Sequence, residues 1–184
     1  MKIYTRTGDD GTTGLFYGGR VPKDSELPTA YGSVDEAQAF LGLARAEAGD
    51  TELGHILLGL ARDLYVLMAE LATAPANRHK LVDGSSRTTK AMVDALEPLI
   101  DDATSRFAMP TEFVIPGGTR AGALLDVART VVRRAERASL TAIDESSFAV
   151  MYLNRLSDLL WALARCQDGS VILAKDAPPS TTSS

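Results

Sequence analysis

Residues 51–73 read TELGHILLGLARDLYVLMAELAT, and their large apolar side chains recur at three- and four-residue steps: Leu53, Ile56, Leu57, Leu60, Leu64, Leu67, Met68 and Leu71. That period sets all eight on one broad helical face, wide enough for the core of a bundle. The same period continues on both sides. N-terminal to it, Ser33-Val34-Asp35-Glu36 has the form of a capping box, which predicts a first helix starting at Ser33. Val34, Ala37, Phe40, Leu41 and Ala44 carry that helix to Gly49-Asp50. C-terminal to it, a polar stretch from Pro75 to Arg87 precedes a third helix through Met92, Val93, Leu96, Leu99, Ile100 and Ala103, with Pro98 expected to kink or break it. Phe113-Val114-Ile115-Pro116-Gly117-Gly118 is a short apolar run and a turn, with Thr119 as the N-cap of a fourth helix carrying Leu124, Val127, Val131 and Ala135 to about Arg137. A fifth helix begins near Ser146 or Ser147 and lines up Val150, Leu153, Leu156, Leu160 and Leu163. Only Val171-Ile172-Leu173-Ala174 looks like a strand.

The expectation is an all-α protein: a five-helix antiparallel bundle of the up-and-down, ferritin-like type over residues 31–175. The first thirty residues, rich in Gly, Thr and Pro, form an N-terminal loop segment belonging to the same domain, and residues 176–184 a disordered tail. At 184 residues one domain suffices. A net charge of -5 argues against general nucleic-acid binding, so an anionic ligand must be held locally. Cys166 is the only cysteine, and His55 and His79 lack metal-ligand spacing, which leaves neither a disulfide framework nor an ordinary transition-metal site. Met1 to Arg6 lacks the apolar core of a secretory signal and no apolar run reaches membrane-spanning length, so the expected location is the cytoplasm, without a membrane partner.

Five features carry chemistry. Residues Thr5 to Gly14 (TRTGDDGTTG) gather three glycines and four threonines beside Arg6, a composition suited to wrapping a polyphosphate with backbone amides and hydroxyls, and equally compatible with ordinary turns. It is not a Walker A loop. Arg129, Arg133 and Arg137 follow one helix face at steps of four while Arg134 points elsewhere; the column reads either as a triphosphate clamp or as a solvated face neutralised by Glu136. Asn154 and Asp158 form a polar pair on the last helix, free to meet solvent, a ligand or a neighbouring helix. Asp35 reads as a first-turn carboxylate or as an ion-pair partner of a fourth-helix arginine, and Phe113 as core or as an apolar wall of a pocket.

Taken together, Thr5 to Thr13, Ala30-Tyr31-Gly32-Ser33-Val34-Asp35-Glu36, Phe113 to Gly118, Arg133-Arg134-Ala135-Glu136-Arg137 and Tyr152-Leu153-Asn154-Arg155-Leu156-Ser157-Asp158, in this order, resemble the ATP:cob(I)alamin adenosyltransferase family of the propanediol-utilisation and human type. Glu70-Leu71-Ala72-Thr73 also fits. The resemblance implies transfer of the 5′-deoxyadenosyl group of ATP to the cobalt of cob(I)alamin, releasing triphosphate. It implies a homotrimer with active sites between subunits, magnesium on the triphosphate, a flavoprotein reductase and a cobalamin-dependent acceptor enzyme. By motif match, Thr5, Arg6, Thr7, Gly8, Asp9, Gly11, Thr12 and Thr13 surround the nucleotide and Lys23 meets a phosphate. Arg133, Glu136 and Asn154 reach ATP from the adjoining subunit, Asp35 pairs with Arg129 across the interface, and Phe113 stands under the corrin ring. The alternative is a non-catalytic nucleotide- or corrinoid-binding sensor or delivery module; a purely structural trimeric bundle leaves the Gly/Thr-rich start without a purpose.

Overall fold

The computed structural model describes residues 3–178. Among them helix dominates: α1 Glu26–Ala48, α2 Glu52–Leu71, α3 Lys90–Asp94, α4 Leu96–Ser105, α5 Arg120–Ser139 and α6 Ala149–Asp168. Two small antiparallel ladders complete it, β1 Thr12–Gly14 with β2 Arg20–Pro22 and β3 Val114–Ile115 with β4 Ile172–Leu173. The protein is all-α in character. Most of the tail expected to be disordered, residues 179–184, lies outside the described residues.

The eight apolar residues of α2 all serve the core: Leu53, Leu57, Leu60, Leu64, Leu67 and Leu71 are buried, and Ile56 and Met68 pack against them. Thr51 caps the helix, its Oγ1 accepting from the Gly54 N–H at 3.3 Å. The turn from α1 is tight enough that Gly49 takes a left-handed φ of 63° and a Cβ on Gly54 would stand 2.0 Å from the Gly49 carbonyl oxygen. The core lies where α1 packs on α2 and α5, and α6 on α4 and α5. Leu156 is fully buried at its centre. Leu156→Ala is expected to cost about 2–5 kcal/mol, seen as a lower urea midpoint with an unchanged slope.

Two expectations about the helices need correction and one is met. First, α1 begins at Glu26 with Ser25 at its cap position, so the boundary expected at residue 30 falls inside a helix. Pro28 is the third residue of α1, where its missing N–H would have been unpaired anyway. Ser33 does not cap: its hydroxyl donates to the Thr29 carbonyl at 2.8 Å, and Glu36 pairs with Arg134 on α5. Asp35 is therefore a mid-helix residue on an exposed face, and its first-turn role disappears. Second, the break expected from Pro98 occurs and divides the third helix in two at Ala95. Pro98 has no N–H for the Asp94 carbonyl and its ring crowds that oxygen, so the break falls one turn upstream of the proline. Third, Val127 is 40% exposed, and Leu125, Ala128 and Val132 take the buried places on α5.

Candidate active site

The N-terminal segment is an ordered hairpin. Asp10 Oδ1 accepts from the Thr12 N–H at 2.9 Å and the Thr12 hydroxyl at 2.7 Å. These bonds, with the Arg20 guanidinium 3.7 Å away, hold the Asp10 carboxyl below its usual range. Arg20, which the motif reading missed, stitches the hairpin by donating from Nε to Thr12 Oγ1 at 3.0 Å and from Nη2 to the Thr7 carbonyl at 2.5 Å. The Thr5 and Thr7 hydroxyls stand 2.9 Å apart. The Lys23 N–H donates to the Gly11 carbonyl at 2.9 Å, and the Lys23 ammonium lies so near Gly8 that a Cβ there would be 3.1 Å from Nζ. Arg6, with φ at 60°, lies 5.5 Å from the centre of the Tyr4 ring. Thr5, Arg6, Thr7, Gly8, Asp9, Gly11, Thr12, Thr13 and Lys23 thus belong to one compact, largely exposed unit. The Phe16 N–H anchors it on the end of α2, donating to the Ala72 carbonyl at 2.9 Å.

Near that anchor, buried Glu70 accepts from the Thr88 N–H and from the Ser147 hydroxyl, both at 2.7 Å. Ser147 also accepts from the Ala149 N–H at 3.1 Å, at the start of α6. Two turns along α6, Asn154 Nδ2 donates to Glu136 Oε1 at 3.1 Å, and the pair lines a cleft of about 500 Å³ with Leu140, Ile143, Ser147 and Met151. Glu136 makes no ion pair with the arginine column among the described residues: its hydrogen bond is to Asn154. Arg133 and Arg137 are exposed, and among the described residues neither has a carboxylate within 4.0 Å; Arg133 reaches only the Ser157 hydroxyl at 3.5 Å, and Arg137 the Arg133 carbonyl at 2.9 Å. Two guanidiniums side by side without ion pairs suit a polyanion. Asn154 and Asp158 part company, Asp158 turning to Arg155 at 3.9 Å.

Phe113 is 88% exposed, which rules out the core reading. Its carbonyl accepts from the Ala174 N–H at 2.8 Å beside the β3–β4 ladder, so the backbone is fixed while the ring is presented outward. The ring borders a cleft of about 600 Å³ with Pro116, Asp126, Arg129, Trp161 and Arg165. Within the chain Arg129 pairs through Nε with Asp126 Oδ1 at 3.1 Å, not with Asp35. Below it lies a buried cluster that the sequence reading did not find: Arg165 between Asp126 and Asp168. Its traces were the i, i+3 spacings of Asp126 with Arg129 and of Arg165 with Asp168.

Among the described residues, no hydrogen bond or ion pair joins residues 5–13 or Lys23 to Arg133, Glu136 or Asn154. Nor does any group of three His, Cys, Asp or Glu side chains have the arrangement to hold a metal. Burial pushes the Cys166 thiol up, away from thiolate chemistry. None of the helices is long and apolar enough to cross a membrane.

Three comparisons place the chain among known proteins. The family model described as cobalamin adenosyltransferase matches residues 3–167. The corrinoid adenosyltransferase of Citrobacter freundii is 43% identical over 173 residues, covering 91% of this chain and 95% of the relative, and that of Bacillus subtilis is 40% identical over 172 residues, covering 90% and 86%. Among solved structures, a variant PduO-type ATP:corrinoid adenosyltransferase from Lactobacillus reuteri, complexed with cobalamin and ATP, superposes with a TM-score of 0.84 at 29% identity over 95% of this chain and 97% of that one. The chain thus belongs to the cobalamin adenosyltransferase family.

Proposed function

We propose that this chain, a corrinoid adenosyltransferase, performs adenosyl transfer from ATP to a corrinoid at a site completed by a second copy of itself. In the reaction, the cobalt(I) electron pair attacks C5′ of ATP, the Co–C5′ bond forms, and the C5′–O bond breaks with its electrons leaving on triphosphate. No side-chain nucleophile or general base is needed. The protein's task is alignment of three atoms and stabilisation of charge growing on the leaving group.

Arg133 and Arg137 take the triphosphate from α5, Glu136 and Asn154 hold the nucleoside side of ATP, and the Thr5 to Thr13 hairpin with Lys23 closes over it from the neighbouring copy. Magnesium, when bound with ATP, would neutralise part of the triphosphate charge that Arg133 and Arg137 also meet. Asp35, exposed on α1, meets Arg129 of the adjoining copy. Phe113 covers the lower face of the corrin and keeps it apolar, so the cobalt stays four-coordinate and is more readily reduced before it attacks. With α3 and α4 counted as one broken member, the helices make a five-helix antiparallel bundle, three copies form a ring, and the setting is the cytoplasm, where a flavoprotein reductase supplies electrons and a cobalamin-dependent enzyme accepts the product.

The observation that carries this reading is the position of Phe113, 88% exposed on a fixed backbone beside Arg129. A site split between copies has a direct test. Arg6→Ala damages the hairpin half and Arg133→Ala the helix half, and each homomeric variant is expected to be nearly inactive. Produced together in one cell in equal amounts, they assemble at random into rings, and roughly a quarter of all sites in the population combine two intact halves, because each half is intact with even odds. Activity returning to that level supports the reading; mixed rings without recovery would overturn it.

A further inference from the structure

Arg165 is 2% exposed, yet it lines the same cleft as Phe113 and Arg129. One of its nitrogens, Nη2, serves two carboxylates: Asp126 Oδ2 at 2.5 Å and Asp168 Oδ2 at 2.9 Å. Each carboxylate turns its other oxygen to a different part of the site. Asp126 Oδ1 accepts from Arg129 Nε at 3.1 Å. Asp168 Oδ1 accepts from the Thr119 N–H at 2.9 Å, at the end of the turn that follows Phe113 and opens α5. Asp168 sits hard against that turn: a Cβ on Gly118 would lie 2.9 Å from its Cγ, and one on Gly122 2.1 Å from its Oδ1. The indole of Trp161 covers the guanidinium, with 5.7 Å from Cζ to the ring centre.

We propose that Arg165 is a positioning residue for the corrinoid cleft, joining through one guanidinium the arm that aims Arg129 and the arm that sets the turn beside Phe113. The proposal rests on the reading that Phe113 and Arg129 border the corrinoid. A role in stability alone fits the cluster poorly. Buried ion clusters contribute little compared with apolar packing of the same volume, and a guanidinium placed for strength uses its fork bidentately. Here Nε is buried without a partner while Nη2 carries both aspartates. What this arrangement achieves is a fixed relation between two surface groups, as outer-shell partners do for the groups that touch a ligand. Charge points the same way. Arg129 and Arg165 balance Asp126 and Asp168; without the Arg165 charge Asp126 is left with Arg129 alone and Asp168 with no cation.

The experiment uses the whole enzyme loaded with ATP, magnesium and cob(II)alamin. The four-coordinate fraction of bound corrinoid is read by electron paramagnetic resonance, and KM for cobalamin and for ATP is measured with chemically reduced cob(I)alamin. Arg165→Lys keeps the charge, but its nitrogen ends one bond short of the Nη2 position that serves both carboxylates. It is expected to lower the ratio of four-coordinate to five-coordinate cobalt and raise the corrinoid KM by about 10-fold, the lower end of what loss of an outer-shell partner costs, with KM for ATP unchanged. Gly118→Ala leaves the guanidinium intact and presses on Asp168 from the other side, and it decides the matter in the same way if Arg165→Lys does not fold. Phe113→Ala serves as the control. If it lowers the four-coordinate fraction while the folded Arg165 and Gly118 variants match wild type, the role of Arg165 is overturned. If Phe113→Ala itself matches wild type, the reading on which the proposal rests falls, and the proposal with it.

Discussion

Phe113→His is expected to cut the rate of adenosylation that starts from cob(II)alamin and a reductase by roughly 100-fold, equivalent to about 2.7 kcal/mol at 1.36 kcal/mol per decade. The side chain is 88% exposed on a backbone tied by the β3–β4 ladder, so its replacement leaves no cavity and the fold unaffected. An imidazole at this place offers a neutral nitrogen, the commonest protein ligand for a metal, where the phenyl ring offers none. A fifth ligand on Co(II) stabilises it against reduction, and the penalty falls on the step before attack on ATP. The same variant given chemically reduced cob(I)alamin should be impaired far less, since the reduction has been done for it. Nitrogen coupling in the paramagnetic spectrum of bound Co(II) is the direct check; a spectrum identical to wild type would count against the role of Phe113.

Arg133→Ala is expected to lower kcat by about 100- to 1,000-fold, the range found when one preorganised donor to a developing charge is removed. Arg133 is exposed, lacks a carboxylate partner, and makes one long hydrogen bond to Ser157 at 3.5 Å, so thermal unfolding should stay close to wild type. A loss of activity with an unchanged melting temperature separates a clamp from a structural arginine. Arg134, one residue away, is the internal comparison: it is engaged with Glu36 on α1, and its loss should register in stability first.

Much of the fold is legible in the order of residues because helical burial leaves a periodic trace. The α2 leucines, the Thr119 cap and the stripe on α6 stand where three- and four-residue steps place them. The start of α1 was hidden because Ser33-Val34-Asp35-Glu36 has the composition of a capping box while sitting inside a helix, where Ser33 bonds back to Thr29 instead. Val127 fits the helical period but faces outward, since a stripe fixes a face only to within a residue on either side. The site was less legible. Glycines, threonines and arginines marked the hairpin and the column, but a buried cluster such as Asp126, Arg165 and Asp168 is assembled from two helices. Its members are charged residues that composition assigns to the surface. Glycines at positions 118 and 122 were the indirect sign that something packs there, and only the three-dimensional arrangement shows it to be a carboxylate.

The central claim concerns a single chemical event, and it is tested by mixing the protein anaerobically with ATP, magnesium and chemically reduced cobalamin and following the visible spectrum while the phosphate products are separated. The expected result is conversion of cob(I)alamin to adenosylcobalamin with one triphosphate released for each Co–C bond formed. Folded protein that yields no adenosylcobalamin, or that releases phosphate or diphosphate in place of triphosphate, would contradict it.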